Sequence, residues 1–184
     1  MRTDAAEVLD SAISVLAKDR AASMQVIAAR AGISRATLVR LFPTRKLLVQ
    51  AMAEKILDDC DRVLSQAETE AETEATPMER VLGALVAEYT PFAQLWNLVY
   101  VDPDVSGVPE ASTRAKAIFI QTVKLMERGQ ETGLLRGDMP ATWLASTFCG
   151  LAETAWELTL EGHMGARQAP NFINAILLHG ARAR

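Results

Sequence analysis

A short segment, residues 24–41, constrains the fold of this chain more than any other part of its sequence. It reads MQVIAARAGISRATLVRL. Two short helices can cross closely where the first offers a small residue, the turn offers a glycine free to adopt positive φ, and apolar residues clamp the pair. Ala28, Gly32 and Leu38 supply these three elements in that order. The spacing therefore predicts a helix-turn-helix.

The residues around this segment predict its caps and a small core. Ser23, Ser34 and Thr44 each precede a helical pattern, where a hydroxyl can accept a free backbone N–H, and Pro43 interrupts the chain before the last of them. An amphipathic first helix is predicted over about residues 4–18. The expected three-helix core comprises Leu9, Ile13, Leu16, Val26, Ile27 and Phe42.

The rest of the chain is also predicted to be helical, because apolar residues recur at three and four positions and no run alternates over strand length. A long helix is expected over 45–67, followed by an acidic stretch at 68–77 that is expected to be a frayed helix end and a loop. Further helices are expected at 77–90, 91–101, 109–131, 140–161 and 170–182. The predicted fold class is all-α, with a three-helix head (1–48) joined by a long helix to a larger helical domain (49–184) for dimerisation and ligand binding.

The charges of the chain are divided between these two parts. The whole chain has a net charge of −4, which taken alone argues against a nucleic-acid binder. Residues 1–55, however, carry nine basic and five acidic side chains, whereas the remainder carries ten basic and 18 acidic ones. Six cations and no acid lie between Arg20 and Gln50. This asymmetry indicates a segment that faces a polyanion, attached to an acidic body.

The second helix of the helix-turn-helix carries the candidate DNA contacts. Arg35, Thr37 and Arg40 can point outward together, which suits a helix that enters a major groove. Arg35 and Arg40 are candidates for guanine, while Ser34, Arg45 and Lys46 are expected to position phosphates. The alternative is an αα-corner used only for packing, but the coincidence of cationic charge with the motif favours DNA binding.

The pattern MQVIAARAGISRATLVRLFPTRKLLVQAM resembles the N-terminal head of the TetR family of transcriptional regulators. The chain departs from the family pattern in having Val39 and Leu41 where aromatic or histidine side chains are common, and Lys46 where an acid is common. The resemblance implies a homodimer, and two heads placed in successive major grooves predict a roughly palindromic operator in double-stranded DNA. It also implies repression as the commoner behaviour, and often release by a small molecule.

The predicted body contains candidate residues for an effector and for a partner subunit. A pocket for an apolar or aromatic effector is expected to include Trp96, Tyr100, Met126 and Trp156. The alternative is that these side chains are simply core. The last two helices are apolar around much of their circumference, which predicts a dimer interface that includes Leu144, Phe148, Leu151, Phe172 and Ile176. A thick monomer core would give the same pattern.

Other function classes find little support in the sequence. No glycine-rich phosphate loop, HExxH or GxSxG is present, so an enzyme is not expected, and a helical small-molecule enzyme is only the remote alternative. Neither the two histidines nor Cys60 and Cys149 have metal-ligand spacing, so neither a metal nor a cofactor is expected. The N-terminus lacks a secretory signal, and a cytoplasmic location is expected. A DNA-binding dimer without an effector remains the nearer alternative.

Overall fold

The computed structural model describes residues 5–72, 76–95, 98, 102, 105 and 108–181. Within these residues the chain forms α-helices and no β-strand element, as the sequence predicts. The helices are α1 (Ala5–Lys18), α2 (Met24–Arg30), α3 (Arg35–Leu41), α4 (Arg45–Glu72), α5 (Met78–Ala87), α6 (Thr90–Leu95), α7 (Pro109–Glu131), α8 (Ala141–Leu160) and α9 (Ala169–Ala181).

The head consists of α1, α2 and α3, and its core lies where the three helices meet. Ile27, Ala28 and Leu38 are fully buried there, together with the inner face of α1. The prediction that Val26 belongs to this core is wrong, because its side chain is 50% exposed. A helix of seven residues has room for one narrow inward face, and Ile27 and Ala28 occupy it.

The turn between α2 and α3 depends on Gly32. This residue adopts φ +68°, and the next N–H, that of Ile33, donates to the carbonyl of Ala28 at 3.0 Å. A left-handed residue just past a helix end lets the chain reverse while the last carbonyls stay hydrogen-bonded. Local geometry thus requires glycine at this position, as the spacing predicts.

The long helix α4 connects the head to the body. It packs against α1 on the head side and against α5, α6 and α7 on the body side. It continues to Glu72, five residues beyond the expected end at 67 and into the stretch 68–77 that was predicted to contain a helix end and a loop. Two features extend the helix: Ala67 and Ala71 are buried, and Gln66 donates to Glu70 one turn later at 3.2 Å.

The body is a bundle formed by α5 to α9 around the second half of α4. Helix α8 packs against α6, α7 and α9, and α9 also contacts α5. Met126 and Phe148 are fully buried at its centre, and the rings of Phe92 and Phe148 meet edge to face with centroids 5.2 Å apart. Within the part of the chain that the structure describes, no helix has both the length and the apolarity needed to cross a bilayer.

Candidate nucleic-acid interface and ligand cavities

The outer face of α3 carries exposed cations on a rigid support. Arg35 and Arg40 are exposed, whereas Leu38 between them is fully buried against the head core. Because α3 has only seven residues, burial of Leu38 fixes which side of the helix faces outward. Both predicted base-reading arginines are therefore exposed on α3.

The predicted contacts Ser34 and Thr37 form the N-terminal cap of α3. Ser34 Oγ accepts the N–H of Thr37 at 3.0 Å, and the two hydroxyl groups are hydrogen-bonded at 2.9 Å. Such a cap satisfies a backbone donor that the helix itself leaves free. Both hydroxyls thus hold the start of α3 in place at the foot of the cationic face.

Arg45 and Lys46 are the first two residues of α4, and their side chains differ in exposure and contacts. Lys46 is exposed, and Thr44 Oγ1 caps the helix by accepting the N–H of Leu47 at 3.2 Å. Arg45 instead donates through Nη1 to the carbonyl of Ala22 at 2.8 Å and through Nη2 to the carbonyl of Arg20. Donors that the predicted phosphate contact would use are thus engaged within the protein, where the guanidinium ties α4 to the segment between α1 and α2.

Two ion-pair clusters attach α4 to its neighbours. Lys55 contacts Asp10 of α1 at 3.0 Å and Asp59 of its own helix at 2.8 Å. Burial lowers the pKa of Lys55, but the hydrogen bonds and charges of the two carboxylates outweigh this effect, so the net pKa is raised. The charged form of Lys55 is therefore favoured, and it joins the head to the connecting helix.

The second cluster joins α7 to α4 through one arginine. Arg114 of α7 donates to Glu54 and Asp58, both at 2.8 Å, and to Asp61. The hydrogen bond to Asp61 is the largest cause of the raised pKa of Arg114, with burial opposing it and Asp58 adding to it. Sequence reasoning missed this cluster, since Arg114 and its partners are 53 to 60 residues apart.

A cavity of about 280 Å³, here called the body cavity, lies between α6, α7 and α8. This volume is near the lower end of the roughly 300–1,000 Å³ typical of small-molecule sites. Its lining is mainly apolar and aromatic, with a single carboxylate. The described lining residues are Phe92, Leu95, Ala115, Ile118, Phe119, Thr122, Ser146, Cys149, Gly150 and Glu153.

Two titratable groups of α8 face this cavity. Burial raises the pKa of the Cys149 thiol to about 12, so the thiol is protonated at neutral pH. Burial also raises the pKa of Glu153, and the negative charge of Glu157 one turn along α8 adds to that effect. Glu153 was not predicted as a site residue, although a carboxylate in an apolar helix is a signal that could have found it.

A second and larger opening, about 510 Å³, lies where the head meets the body and is here called the junction cleft. Leu16 of α1, Ile56 of α4, and Trp156 and Leu160 of α8 contribute to its walls. Trp156 thus lines the junction cleft and is not part of the described lining of the body cavity, although it is only three positions after Glu153 on α8. The two side chains are offset by about 60° around α8 and by nearly one turn along it, and they line different openings.

The other predicted effector residues have different outcomes. Met126 is fully buried in the body core and does not line either of the two openings, so its assignment to the pocket is corrected. Trp96 and Tyr100 lie outside the described residues. Phe92 and Phe119, which are not among the four predicted effector residues, supply the aromatic walls of the body cavity.

The last two helices carry large apolar side chains on their outer surface. Phe172 and Ile176 of α9 are 52% and 56% exposed, and Leu151 is partly buried. Leu144 and Phe148, in contrast, are 2% and 0% exposed, and their assignment to a partner-facing surface is corrected. They belong to the inward stripe of α8. Trp143 and Leu158, at 62% and 37% exposure, are the exposed large apolar residues of α8.

No model of a known protein family matches the chain. It is 28% identical over 156 residues to the HTH-type transcriptional repressor LfrR of Mycolicibacterium smegmatis, across 84% of this chain and 78% of that protein. It is also 28% identical over 179 residues to the HTH-type transcriptional regulator NfxB of Pseudomonas aeruginosa, across 95% and 93% of the two chains. The crystal structure of the TetR-like regulator LfrR from Mycobacterium smegmatis with proflavine superimposes with a TM-score of 0.71 at 24% identity, over 97% of each chain.

Proposed function

We propose that this chain, which has the fold of the TetR-like transcriptional regulators, is a homodimeric repressor that binds operator DNA and is released by a small apolar or aromatic effector. The observation that carries the proposal is the exposed cationic face of α3. Arg35 and Arg40 are both exposed there, on a helix that is anchored to the head core through the buried Leu38. An acidic body beneath that face repels DNA, so the duplex is held by the head alone.

The chemistry of DNA recognition follows from the positions of these side chains. Arg35 and Arg40 can each present two N–H groups to O6 and N7 of guanine in the major groove. Lys46, exposed at the start of α4, can neutralise a phosphate beside the groove. Ser34 and Thr37 hold the α3 N-terminus, whose backbone N–H groups favour an anion. In this division of roles Arg45 maintains the head rather than touching DNA.

A second copy of the chain is expected to cover the exposed apolar surface of α8 and α9. Trp143, Leu158, Phe172 and Ile176 all lie on these two helices and are 37% to 62% exposed. Association of two such surfaces removes apolar area from water and places two heads on one duplex. Their recognition helices would enter successive major grooves about 34–36 Å apart, which requires a roughly palindromic operator.

The body cavity is the proposed effector site. Helix α7 lines this cavity through Ile118 and Phe119, and the same helix forms ion pairs with α4 through Arg114. A small displacement of α7 would therefore also displace α4, the helix that leads to the head. An effector shifts the protein toward a state that does not fit DNA only if it binds that state more tightly. The related LfrR was crystallised with proflavine, a flat aromatic molecule, which supports an aromatic effector for this chain.

A gel-shift experiment with the full-length protein tests the proposal. The purified chain is incubated with the DNA upstream of its own gene at several salt concentrations, and proflavine is then added to the complex. We expect a retained fragment, an affinity that falls steeply with salt because counterions are released, and dissociation on addition of the compound. Retention that no aromatic compound reverses would favour a DNA-binding dimer without an effector. An affinity independent of salt would contradict DNA binding by the cationic face.

A further inference from the structure

Two side chains of α3, Ala36 and Arg40, lie opposite the residue that anchors this helix to the head core. Leu38 is fully buried, and successive residues of an α-helix are about 100° apart around its axis. Ala36 and Arg40 are each two positions from Leu38, so both begin about 160° away from it. Both residues are exposed, in agreement with this geometry. The outermost side of α3 therefore consists of one methyl group beside one guanidinium.

The other side chains of α3 begin closer to the core. Thr37 and Val39, the neighbours of Leu38 in the chain, are partly buried. Arg35 is exposed, but its side chain begins only about 60° from Leu38 around the helix axis. Because alanine adds a single carbon, the backbone at Ala36 can come closer to a docked surface than the backbone at either arginine. Sequence reasoning did not select Ala36, since its side chain carries neither charge nor hydrogen-bonding group.

The hydroxyl groups nearest to Ala36 are used within the helix cap. Ser34 Oγ accepts the N–H of Thr37 at 3.0 Å, and the Ser34 and Thr37 hydroxyls are hydrogen-bonded to each other at 2.9 Å. These bonds hold the first turn of α3, and with it Ala36, in a fixed position. A base edge that reaches Ala36 therefore meets an apolar methyl group on a rigid support.

The geometry points to Ala36 as a residue that reads the C5 methyl group of a pyrimidine in the major groove, beside the base that Arg40 contacts. This inference rests on the proposed function, since it names the base chemistry that α3 recognises. The methyl group of thymine is an apolar feature of the major groove, and alanine is one of the side chains that contact it. 5-Methylcytosine carries the same methyl group at the same ring position.

The spacing of Ala36 and Arg40 limits where this methyl group lies in the operator. Four positions correspond to about 6 Å along a helix, and neighbouring base pairs are about 3.4 Å apart along the duplex. The two side chains thus span about two base pairs when α3 lies along the groove. We expect the methyl-bearing pyrimidine within about two base pairs of the base that Arg40 contacts, once in each half of the operator.

Replacement of single thymines by deoxyuridine tests the inference, because this change removes only the methyl group. The full-length protein first selects operators from a random pool of duplexes, and each thymine of the selected half-site is then exchanged in turn. Binding is measured for wild type, Ala36→Gly and Ala29→Gly. Ala29 is the matched control, because it is an exposed alanine on the other helix of the same helix-turn-helix. The ratio of the two affinities is compared within each protein, so a loss of folded protein cancels.

We expect one thymine in each half-site at which deoxyuridine weakens wild-type binding about fourfold, the factor that corresponds to burial of one methyl-sized group. Ala36→Gly should lose this difference, and Ala29→Gly should retain it. Ala36→Gln, which keeps a good helix former at this position, should lose the difference as well. The absence of a sensitive thymine in wild type, or an unchanged sensitivity in both Ala36 variants, would overturn the inference.

Two further comparisons identify the base and separate this inference from the proposed function. At the sensitive position, tighter binding of 5-methylcytosine than of cytosine shows that the methyl group is read on either base, whereas equal binding restricts the reading to thymine. If the protein retains selected DNA with a steep salt dependence but no methyl sensitivity, DNA binding stands and the inference falls. If the protein selects no DNA sequence at all, the proposed function fails and the inference falls with it.

Discussion

Arg114 Nη2 of α7 lies 2.8 Å from Asp58 Oδ1 of α4, in a cluster that also includes Glu54 and Asp61. The guanidinium of Arg114 thus forms ion pairs with three carboxylates of α4, the helix that leads to the head. Without it, these three acids on one face of α4 would repel one another. The same α7 helix lines the body cavity with Ala115, the next residue along the chain.

Replacement of Arg114 should weaken both the fold and the response to effector. Arg114→Ala is expected to lower the free energy of unfolding by about 1 kcal/mol, because the cluster is partly exposed. The loss should shrink in high salt, measured by urea denaturation. DNA affinity should stay near wild type while more effector is needed for release in the gel shift. Arg136→Ala, which removes a surface pair with Asp138, is the control and should change neither.

Arg40 and Lys46 should differ in how they affect DNA binding. If Arg40 reads a base, Arg40→Ala costs about 1 to 3 kcal/mol and relaxes the preference at one operator position. Lys46→Ala should weaken all sequences alike and reduce the salt slope by about one unit. Binding to a set of operators with single base changes, at two salt concentrations, measures both effects. Uniform weakening by Arg40→Ala would instead make Arg40 a phosphate ligand.

Arg45 should affect stability rather than sequence preference. Its guanidinium donates to the carbonyls of Ala22 and Arg20, so Arg45→Ala leaves these groups without that donor. We expect a loss of about 1 to 2 kcal/mol in the free energy of unfolding. Arg35→Ala is the control, because this exposed arginine should weaken DNA binding and leave thermal unfolding unchanged. Unaltered stability of Arg45→Ala would contradict the tie between α4 and the α1–α2 segment.

Gly32 should resist substitution for a backbone reason. At φ +68° an alanine is strained although no atom lies within 4 Å of its added Cβ, so Gly32→Ala should destabilise the protein by about 1 to 2 kcal/mol. Gly83 lies inside α5 with equally open space and an ordinary helical backbone. Gly83→Ala should therefore raise the stability by up to about 1 kcal/mol. Chemical denaturation of both variants shows whether strain rather than crowding decides the effect.

The exposed apolar surface of α9 should control the oligomeric state. Phe172→Asp and Ile176→Asp each place a charge in the proposed interface, so we expect a shift from dimer to monomer and a loss of operator binding. Ile120 of α7 is as exposed as Ile176, at 56%, but lies on a different helix. Ile120→Asp should leave the mass in solution unchanged. Light scattering across a concentration series distinguishes these outcomes, and a monomeric wild type would contradict the proposed dimer.

Features that depend on neighbours in the sequence were predictable. The caps Ser23, Ser34 and Thr44 accept backbone N–H groups three residues later, and Gly32 has the positive φ that its position implies. Helix α7 begins at Pro109 and ends at Glu131, as expected. Each of these features follows from hydrogen bonds or sterics within a few residues, so the chain encodes them locally.

For helices that are apolar on most sides, it was harder to predict which face is buried in the core and which is exposed. Helix α8 offers both a buried stripe with Leu144 and Phe148 and an exposed one with Trp143 and Leu158. Periodicity identifies the stripes but not which of them meets the core, because that depends on the neighbours α6, α7 and α9. For the same reason, periodicity could not show that Trp156 lines the junction cleft while Glu153 lines the body cavity.

By itself the sequence determined an all-helical chain with a helix-turn-helix and a cationic outer face on α3, because these depend on helical period, local caps and the distribution of charge. Only the tertiary structure decided that Arg45 binds backbone carbonyls, that Arg114 fastens α7 to α4, and that Glu153 faces an aromatic cavity. These contacts join residues far apart in the chain. Their geometry exists only once the helices have packed, so no local pattern could contain it.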